Sequence, residues 1–332
     1  MAIKSSGSPN PPLSFTEIEA EFGSNGDRSL GSYRLQENIG SLTNLPLDSG
    51  IPTSGTIAFS DFYGKRLNVV VDCFSGGDET RTIAKNDKWN NNKLTVIGGF
   101  RSQKEAGSKI IINVNKKICS DKNGVNNCAL KTGSWDATAV VQVDVGSSGK
   151  ILGSGGDGGR GQNGISGSAQ GGFAGSSGLG IEVNNTTVNI ASGGVIRAGF
   201  GGGGGGGGSR QVDKGEDRRA SGGGGGGGAG CPPGNGGAGG STSSAGEAGD
   251  AGGDTGDNPP ELAGGAGGAG GDNVGEAVGQ SGGSGGGVSA SAVAKSGGAG
   301  GDGAAIRRTS GFTVNINNSG TISGDTSATG VS

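Results

Sequence analysis

Val188-Asn-Ile-Ala-Ser-Gly-Gly-Val-Ile-Arg-Ala-Gly-Phe-Gly-Gly-Gly-Gly-Gly-Gly-Gly-Gly208 joins two opposed kinds of sequence. Its first nine residues put apolar, β-branched side chains two apart, so they share a face. They read as a strand, a turn closed by Gly, and a second short strand. Two other segments align with it without gaps, Val143–Ile151 and Val314–Ile322. The common pattern is β-branched, x, β-branched, three residues, Gly, x, Ile. The spacing between copies is unequal, so no regular solenoid period is expected. The units are expected to open and close a glycine-rich block.

That block runs from Gly153 to Gly303 and holds 61 Gly in 151 residues, against 21 in the other 181. Its longest runs are Gly201–Gly208 and Gly222–Gly228, separated by Ser209–Ser221. Glycine has no side chain to bury and loses the most backbone freedom on ordering, so one run alone stays disordered. Several runs together have an alternative. The polyproline-II helix has three residues per turn and leaves its backbone groups unpaired. Glycine strands in that form approach closely enough to bond to each other laterally. We therefore expect a mainly β fold with polyglycine-II helices: a small helical N-terminal module, a β-sandwich, then a glycine-rich domain over 141–332. Collagen is excluded because long Gly runs destroy its frame and Pro is scarce. No Gly-Lys is followed by Ser or Thr, so no Walker phosphate loop exists.

Residues 1–65 open with a capping box, Ser14-Phe-Thr-Glu17, and then place Phe15, Ile18 and Phe22 on one helical face. Short turns are expected at Ser29–Arg34 and Ser60–Gly64. Such a module buries little alone and needs a partner surface. Phe15, Ile18, Phe22, Phe59, Phe62 and Tyr63 are its candidate docking residues. Over 66–140 the strand candidates are Leu67–Asp72, Lys93–Phe100, Lys109–Asn115 and Ala139–Val145, expected as an antiparallel sandwich. Trp89 and Trp135 read as core residues or as sugar-stacking platforms.

Charge divides as well. Residues 66–150 carry 13 basic and 8 acidic groups, whereas 241–302 carry 1 and 8. There is no His, which removes the commonest general base and the usual metal imidazole. An enzyme is not expected, and neither a catalytic residue, a metal nor a cofactor is assigned. The acidic group Asp250, Asp254, Asp257 and Glu261 reads as a solubilising surface, with weak cation binding as the other reading. No apolar run reaches the roughly 20 residues of a spanning helix, so membrane insertion is not expected. Nucleic acid is not expected as a partner. The Cys match no zinc spacing. Cys119 and Cys128 bracket a polar loop and are either a local disulfide or free thiols.

Two stretches resemble a known group. Leu13–Gly23, followed by Ile51–Gly64, resembles the N-terminal segment of many tailed-phage baseplate and fibre proteins. The strand-turn-Ile unit feeding poly-Gly at Val188–Gly208 resembles the glycine-rich tip adhesins on long tail fibres of T-even-like phages, cyanophage-type versions especially. The resemblance implies a virion adhesin. Residues 1–65 would attach to other tail-fibre or baseplate proteins, and the loops between glycine helices would touch a host receptor, a polysaccharide or an outer-membrane protein. It would act as a homotrimer or a monomeric tip. Loops 209–221, 231–235, 241–261, 288–296 and 304–311 hold no aromatic residue. The receptor candidates are therefore polar and ionic: Arg210, Gln211, Asp213, Lys214, Glu216, Asp217, Arg218 and Arg219. A purely structural fibre or baseplate component without receptor contact is the alternative.

Overall fold

The computed structural model describes residues 3, 12–22, 28–34, 36–39, 42–46, 48, 50–65, 69–73, 94–96, 109–120, 124–133, 140–213, 216–241, 244–254, 261–270, 272–273, 277–278, 280–281, 283–284 and 297–331. The first helix, α1, covers Phe15–Phe22. Its capping box closes: the Glu17 N–H donates to Ser14 Oγ at 3.3 Å and the Ser14 N–H to Glu17 Oε2 at 2.9 Å. The two later turns form 3₁₀ helices at Leu30–Tyr33 and Phe59–Phe62. An antiparallel pair between them, β1 (Gln36–Ile39) and β2 (Leu42–Pro46), was not expected from the sequence. Phe22, Tyr33 and Phe62 meet edge to face, with centroids 5.7 to 6.2 Å apart. Ile3, Ile18 and Ile51 complete this small core, and so does Ile111 from a later strand. The module thus finds a partner surface within its own chain.

The remaining strands are β3 (Val69–Cys73), β4 (Leu94–Val96), β5 (Lys109–Val114), β6 (Lys117–Cys119), β7 (Cys128–Lys131), β8 (Val140–Val145), β9 (Lys150–Leu152), β10 (Ser177–Ile181), β11 (Thr186–Ile190), β12 (Val195–Arg197), β13 (Ser209–Asp213), β14 (Glu216–Ala220), β15 (Asp272–Asn273), β16 (Ala277–Val278), β17 (Ile306–Arg308), β18 (Val314–Asn318), β19 (Thr321–Ser323) and β20 (Ala328–Thr329). From β5 onward the chain visits three sheets in fixed rotation. The first has the order β18-β11-β8-β5-β3-β4, the second β19-β12-β9-β6, the third β20-β17-β10-β7. Neighbours pair in parallel throughout, except β3 with β4.

Three ladders of apolar side chains face one shared core. Ile112, Val143, Val188 and Ile316 stack on the first sheet. Ile118, Ile151, Ile196 and Ile322 stack on the second. Leu130, Leu179 and Ile306 stack on the third. The aligned sequence units are therefore successive coils of one solenoid, interrupted by glycine-rich insertions between the second and third sheets. In the last coil Val188 opposes Ile316 rather than Val314. A slip of two keeps the same face inward, because the side-chain period is two.

The four strands expected over 66–140 form, but not as an antiparallel sandwich. β5 pairs in parallel with β3 and β8. Parallel neighbours need a long connection, and here β6 and β7 supply it by crossing the other two sheets. Trp89 and Trp135 lie outside the described residues.

The glycine-rich insertions form a hydrogen-bonded array of side-by-side segments. Segment 221–230 lies at its centre. Gly222, Gly225 and Gly228 donate to Gln162, Gly159 and Gly156; Gly223 and Gly226 to Gln280 and Gly283; Gly224 and Gly227 to Glu247 and Asp250, all at 2.8 to 2.9 Å. Three further segments donate back to it. Gly240, Gly237 and Gly234 reach the carbonyls of 222, 225 and 228; Gly206 and Gly203 reach 223 and 226; Gly268 and Gly265 reach 224 and 227. Every third residue thus addresses the same neighbour, and one segment is bonded to six. A Cβ on any of Gly222–Gly228 would come within 1.8 to 2.0 Å of a neighbour's carbonyl oxygen. At the rim the rule relaxes. In 261–270, Ala263, Ala266 and Ala269 are exposed while Gly265 and Gly268 are buried.

Cys119 at the end of β6 is disulfide-bonded to Cys231, with Cα atoms 5.2 Å apart, and Cys128 is a free, buried thiol. Of the two readings left open, the Cys119–Cys128 bridge does not form, and the free thiol holds for Cys128 but not for Cys119. The two belong to strands of different sheets, and the closest partner of Cys119 arrives from the array, where segment 221–230 reverses beside the second sheet.

Candidate functional site

The array gathers its turns at two ends. Segments 153–162 and 199–208 leave β9 and β12 side by side, as the donors Gly156, Gly159 and Gln162 to Phe200, Gly203 and Gly206 show. Segment 221–230 returns antiparallel to both, and 231–240 goes out again. Gln162, Asn163, Gly208, Ser221, Ser241 and Gln280 consequently stand level with one another, at the end remote from the strands. Side chains tie them: the Gly208 N–H donates to Gln162 Oε1 at 3.0 Å, the Gly164 N–H to Ser221 Oγ at 3.1 Å, and the Ser241 N–H to Asn163 Oδ1 at 2.7 Å. The opposite end, at Gly153, Ser176, Gly199, Cys231 and Gly303, abuts the solenoid.

The remote end carries the β13–β14 hairpin, in which Arg210 opposes Arg219, Gln211 opposes Arg218, Val212 opposes Asp217 and Asp213 opposes Glu216. Lys214 lies outside the described residues. Arg210 and Arg219 are exposed and Arg218 is half-buried. The shorter β15–β16 hairpin, where Asp272 opposes Val278, packs beside it. Residues 163–169 close a third turn at the same end and expose Ile165.

Of the loops expected to form the contact surface, 209–221 is at this end. Residues 231–235 begin an outgoing segment at the solenoid end instead. Within the described part of 241–261, Ser241 is remote and 246–253 runs back through the array, with Gly246, Gly249 and Gly252 bonded to Gly240, Gly237 and Gly234. Residues 304–311 contain β17 and belong to the solenoid. Loop 288–296 lies outside the described residues. The turn 163–169 and the β15–β16 pair were missed. Their signal is the point where the three-residue glycine period breaks, at Ile165 and at Asp272-Asn-Val274.

Ile18, Phe22 and Phe62, named as docking residues, are fully buried in the N-terminal core. Their apolar surface is consumed inside the chain, which corrects that assignment. Phe15 and Phe59 stack edge to face at 5.0 Å and remain half-buried, as does Tyr63. Burial, followed by the charge of Glu19, raises the Tyr33 hydroxyl above its ordinary range.

Asp250 and Glu261 line an open groove of about 490 Å³ beside Leu262, and Asp257 lies outside the described residues. Among the described residues no three His, Cys, Asp or Glu side chains are grouped to hold a metal ion. Among them, too, no helix is long and apolar enough to cross a membrane.

The model of the phage tail fibre adhesin Gp38 family matches residues 79–327. The chain belongs to that family. It is accordingly a virion protein of the phage tail fibre, an adhesin that serves host-receptor recognition. A solved structure, the gp37–gp38 adhesin tip complex of the bacteriophage S16 long tail fibre, is similar at 19% identity and a TM-score of 0.44, over 95% of this chain and 98% of that one. No curated protein sequence matches the adhesin.

Proposed function

We propose that the adhesin meets its receptor with the remote end of the glycine array, and with the 209–221 hairpin above all. The observation that carries this is the alternation of segment direction, which delivers β13–β14 away from the solenoid and leaves Arg210 and Arg219 exposed. Gln211, Asp213, Glu216, Asp217 and Arg218 belong to the same hairpin and form its polar contact set. The array's segments are polyglycine-II helices in this reading. Their three-residue bonding period and their six neighbours support it, and eight residues then span roughly 25 Å at about 3.1 Å each. Such a mount is rigid, and a preordered loop loses less freedom on binding.

The remainder of the chain holds the mount. Residues 1–65, seated on the outer side of β5 through Ile111, attach the adhesin to another tail-fibre protein. Phe15, Phe59 and Tyr63 are the docking residues that keep exposed surface. The adhesin acts by binding, without catalysis. Replacing 209–221 by a short Gly-Ser link should leave the melting temperature and the solenoid's amide protection in place and abolish adsorption to host cells. Undiminished adsorption by that variant refutes the receptor role of the hairpin.

A further inference from the structure

We propose that the last coil of the solenoid, β18–β20, is a self-association edge through which two copies of the chain join end to end about a two-fold axis. The two ends of the solenoid differ. In the coil β5–β7, Ile112, Ile118 and Leu130 are fully buried, whereas in the last coil Val314, Ile316 and Ile322 are only half-buried. Among the described residues β18, β19 and β20 each stand at the edge of their sheet, so backbone N–H and C=O groups face outward from the coil. Natural edges are protected by Lys, Pro, charge or bulges. From Ser310 to Val331 there is no Lys and no Pro, and the one charged residue is Asp325. Its carboxylate accepts from the Ser327 N–H at 2.7 Å and the Ser327 hydroxyl at 2.8 Å. The edge is thus apolar, uncharged along its strands and open to pairing.

The same features choose a second copy as the occupant. Strands without charge do not repel their own kind, and amide side chains both donate and accept. Along the outer face of the first sheet the Asn317 Nδ2 donates to Asn189 Oδ1 at 2.8 Å, and the Asn189 Nδ2 to Asp144 Oδ1 at 2.7 Å. Asn317 ends that series, and Asn315 on the same strand is exposed as well. A facing copy offers these amides both donors and acceptors. The shape of the coil selects the axis. β18 has five residues, β19 three and β20 two. A two-fold through the middle of β18 and the corner between β19 and β20 lays β18 antiparallel on its copy and sets β19 against β20. It is isologous and closed, so no filament results. It also brings Val314, Ile316 and Ile322 of both copies together, out of water. Only residues 324–327 close that corner in the last coil, whereas 153–176 and 198–305 leave it in the two coils below. Because the axis passes through this corner, both arrays project in one direction and both N-terminal modules lie on the opposite side. On the receptor reading, the pair presents two remote ends to one cell surface and gains avidity. The association itself does not depend on that reading.

The test is the mass of the full chain by light scattering over a concentration series, with hydrogen exchange in parallel. The parent should rise to twice the chain mass, and the 314–318 amides should gain protection as it does. The double variant Asn315→Lys, Thr321→Lys changes two exposed positions of the last coil. It should raise the dimer dissociation constant at least about tenfold, because like charges then face each other, and leave the protection of β8 and β11 as in the parent. Ala299→Lys, at an exposed position of the array, should associate as the parent does. A parent that stays monomeric throughout, a stoichiometry other than two, or association unmoved by the two lysines overturns the proposal. So does protection of 314–318 that arises only when a tail-fibre protein is added, which gives the edge to that partner. The 209–221 replacement should still dimerise, so a failed receptor role and a failed dimer are read separately.

Discussion

The solenoid and the glycine array bury their chains by opposite means. In the solenoid, Ile118, Ile151 and Ile196 fill the space between sheets, and stability comes from apolar surface taken out of water. In the array, Gly222–Gly228 fill nothing. Stability comes from backbone bonds that close only because side chains are missing. The two regions therefore respond in opposite directions to the same change. Adding carbon to a coil position such as Ala305 overpacks a core, while removing it from Ile196 leaves a cavity. In the array centre there is no room for a first carbon at all. A protein built this way can present rigid loops with few apolar residues, provided that a conventional core anchors the base of every segment.

The largest expected effect comes from breaking the array at its centre. Gly225→Val would place Cβ about 2.0 Å from the Gly203 carbonyl oxygen, a clash that backbone on all sides prevents from relaxing. We expect a loss above about 4 kcal/mol, in the exceptional class for one substitution. Hydrogen exchange should show the 199–253 amides unprotected while β8 and β11 stay protected. Ile196→Ala in the solenoid should cost about 2–5 kcal/mol and lower the protection of both regions, since the array is rooted in the coils. Equal local effects of the two variants would erase the distinction drawn here.

Next in size is the bond that joins the regions. Cys119–Cys231 links β6 to the turn between two central segments, across a separation of 112 residues. Replacing both Cys by Ser should cost about 2–4 kcal/mol. The loss should appear first as faster exchange around 230–234. Uniform loss over the whole solenoid would show that the disulfide acts mainly on the unfolded chain rather than at the junction.

How much of this was legible in the sequence follows the same division. The strand-turn-Ile units, the capping box at Ser14 and the charged loop 209–221 were readable because each depends on neighbours a few residues away, although the loop's strand pairing was not. The fourth coil, β5–β6, was missed because its turn at Asn115-Lys116 is short and carries no Gly. Parallel pairing was missed for a similar reason. Alternation in Lys109–Val114 reports a buried face but not the partner's direction, which is decided by β6 and β7 crossing elsewhere. Poly-Gly shows that close packing is needed and is silent on which segments meet. Direction reversals, and with them the remote turn at 163–169 and the β15–β16 pair, emerge only from the complete bonding pattern. The helix face Phe15, Ile18 and Phe22 was read correctly as apolar, yet its cover was Tyr33, Phe62 and Ile111 rather than an outside partner.

A smaller effect concerns a buried ionisable group of the solenoid. Burial pushes the Cys128 thiol up to about 12; Lys131 and Arg307 pull it down and Glu182 raises it. The thiol sits against Gly180, where a Cβ would lie 2.8 Å from its sulfur and 3.2 Å from Val331. In the unfolded chain the group ionises at the ordinary thiol value, so the unfolded state sheds its proton first. Stability from the protonated thiol is complete below that value and is lost as pH climbs toward about 12. Cys128→Ala should flatten this alkaline decline. An unchanged decline assigns it to other groups.

The smallest effect is the most direct check on the array's edge. At Gly298 an added Cβ meets nothing within 4 Å, and the residue is exposed. Ala263, Ala266 and Ala269 already occupy comparable exposed positions at the rim, in 261–270. Gly298→Ala should therefore keep every backbone bond and stabilise the protein by about 0.4–1 kcal/mol, because the unfolded chain loses freedom. Thermal unfolding measures it against Gly225→Ala, which should destabilise strongly. A destabilising Gly298→Ala would mean that the array demands glycine at its rim as well as its centre, and the exposed alanines would then need another explanation than outward-facing space.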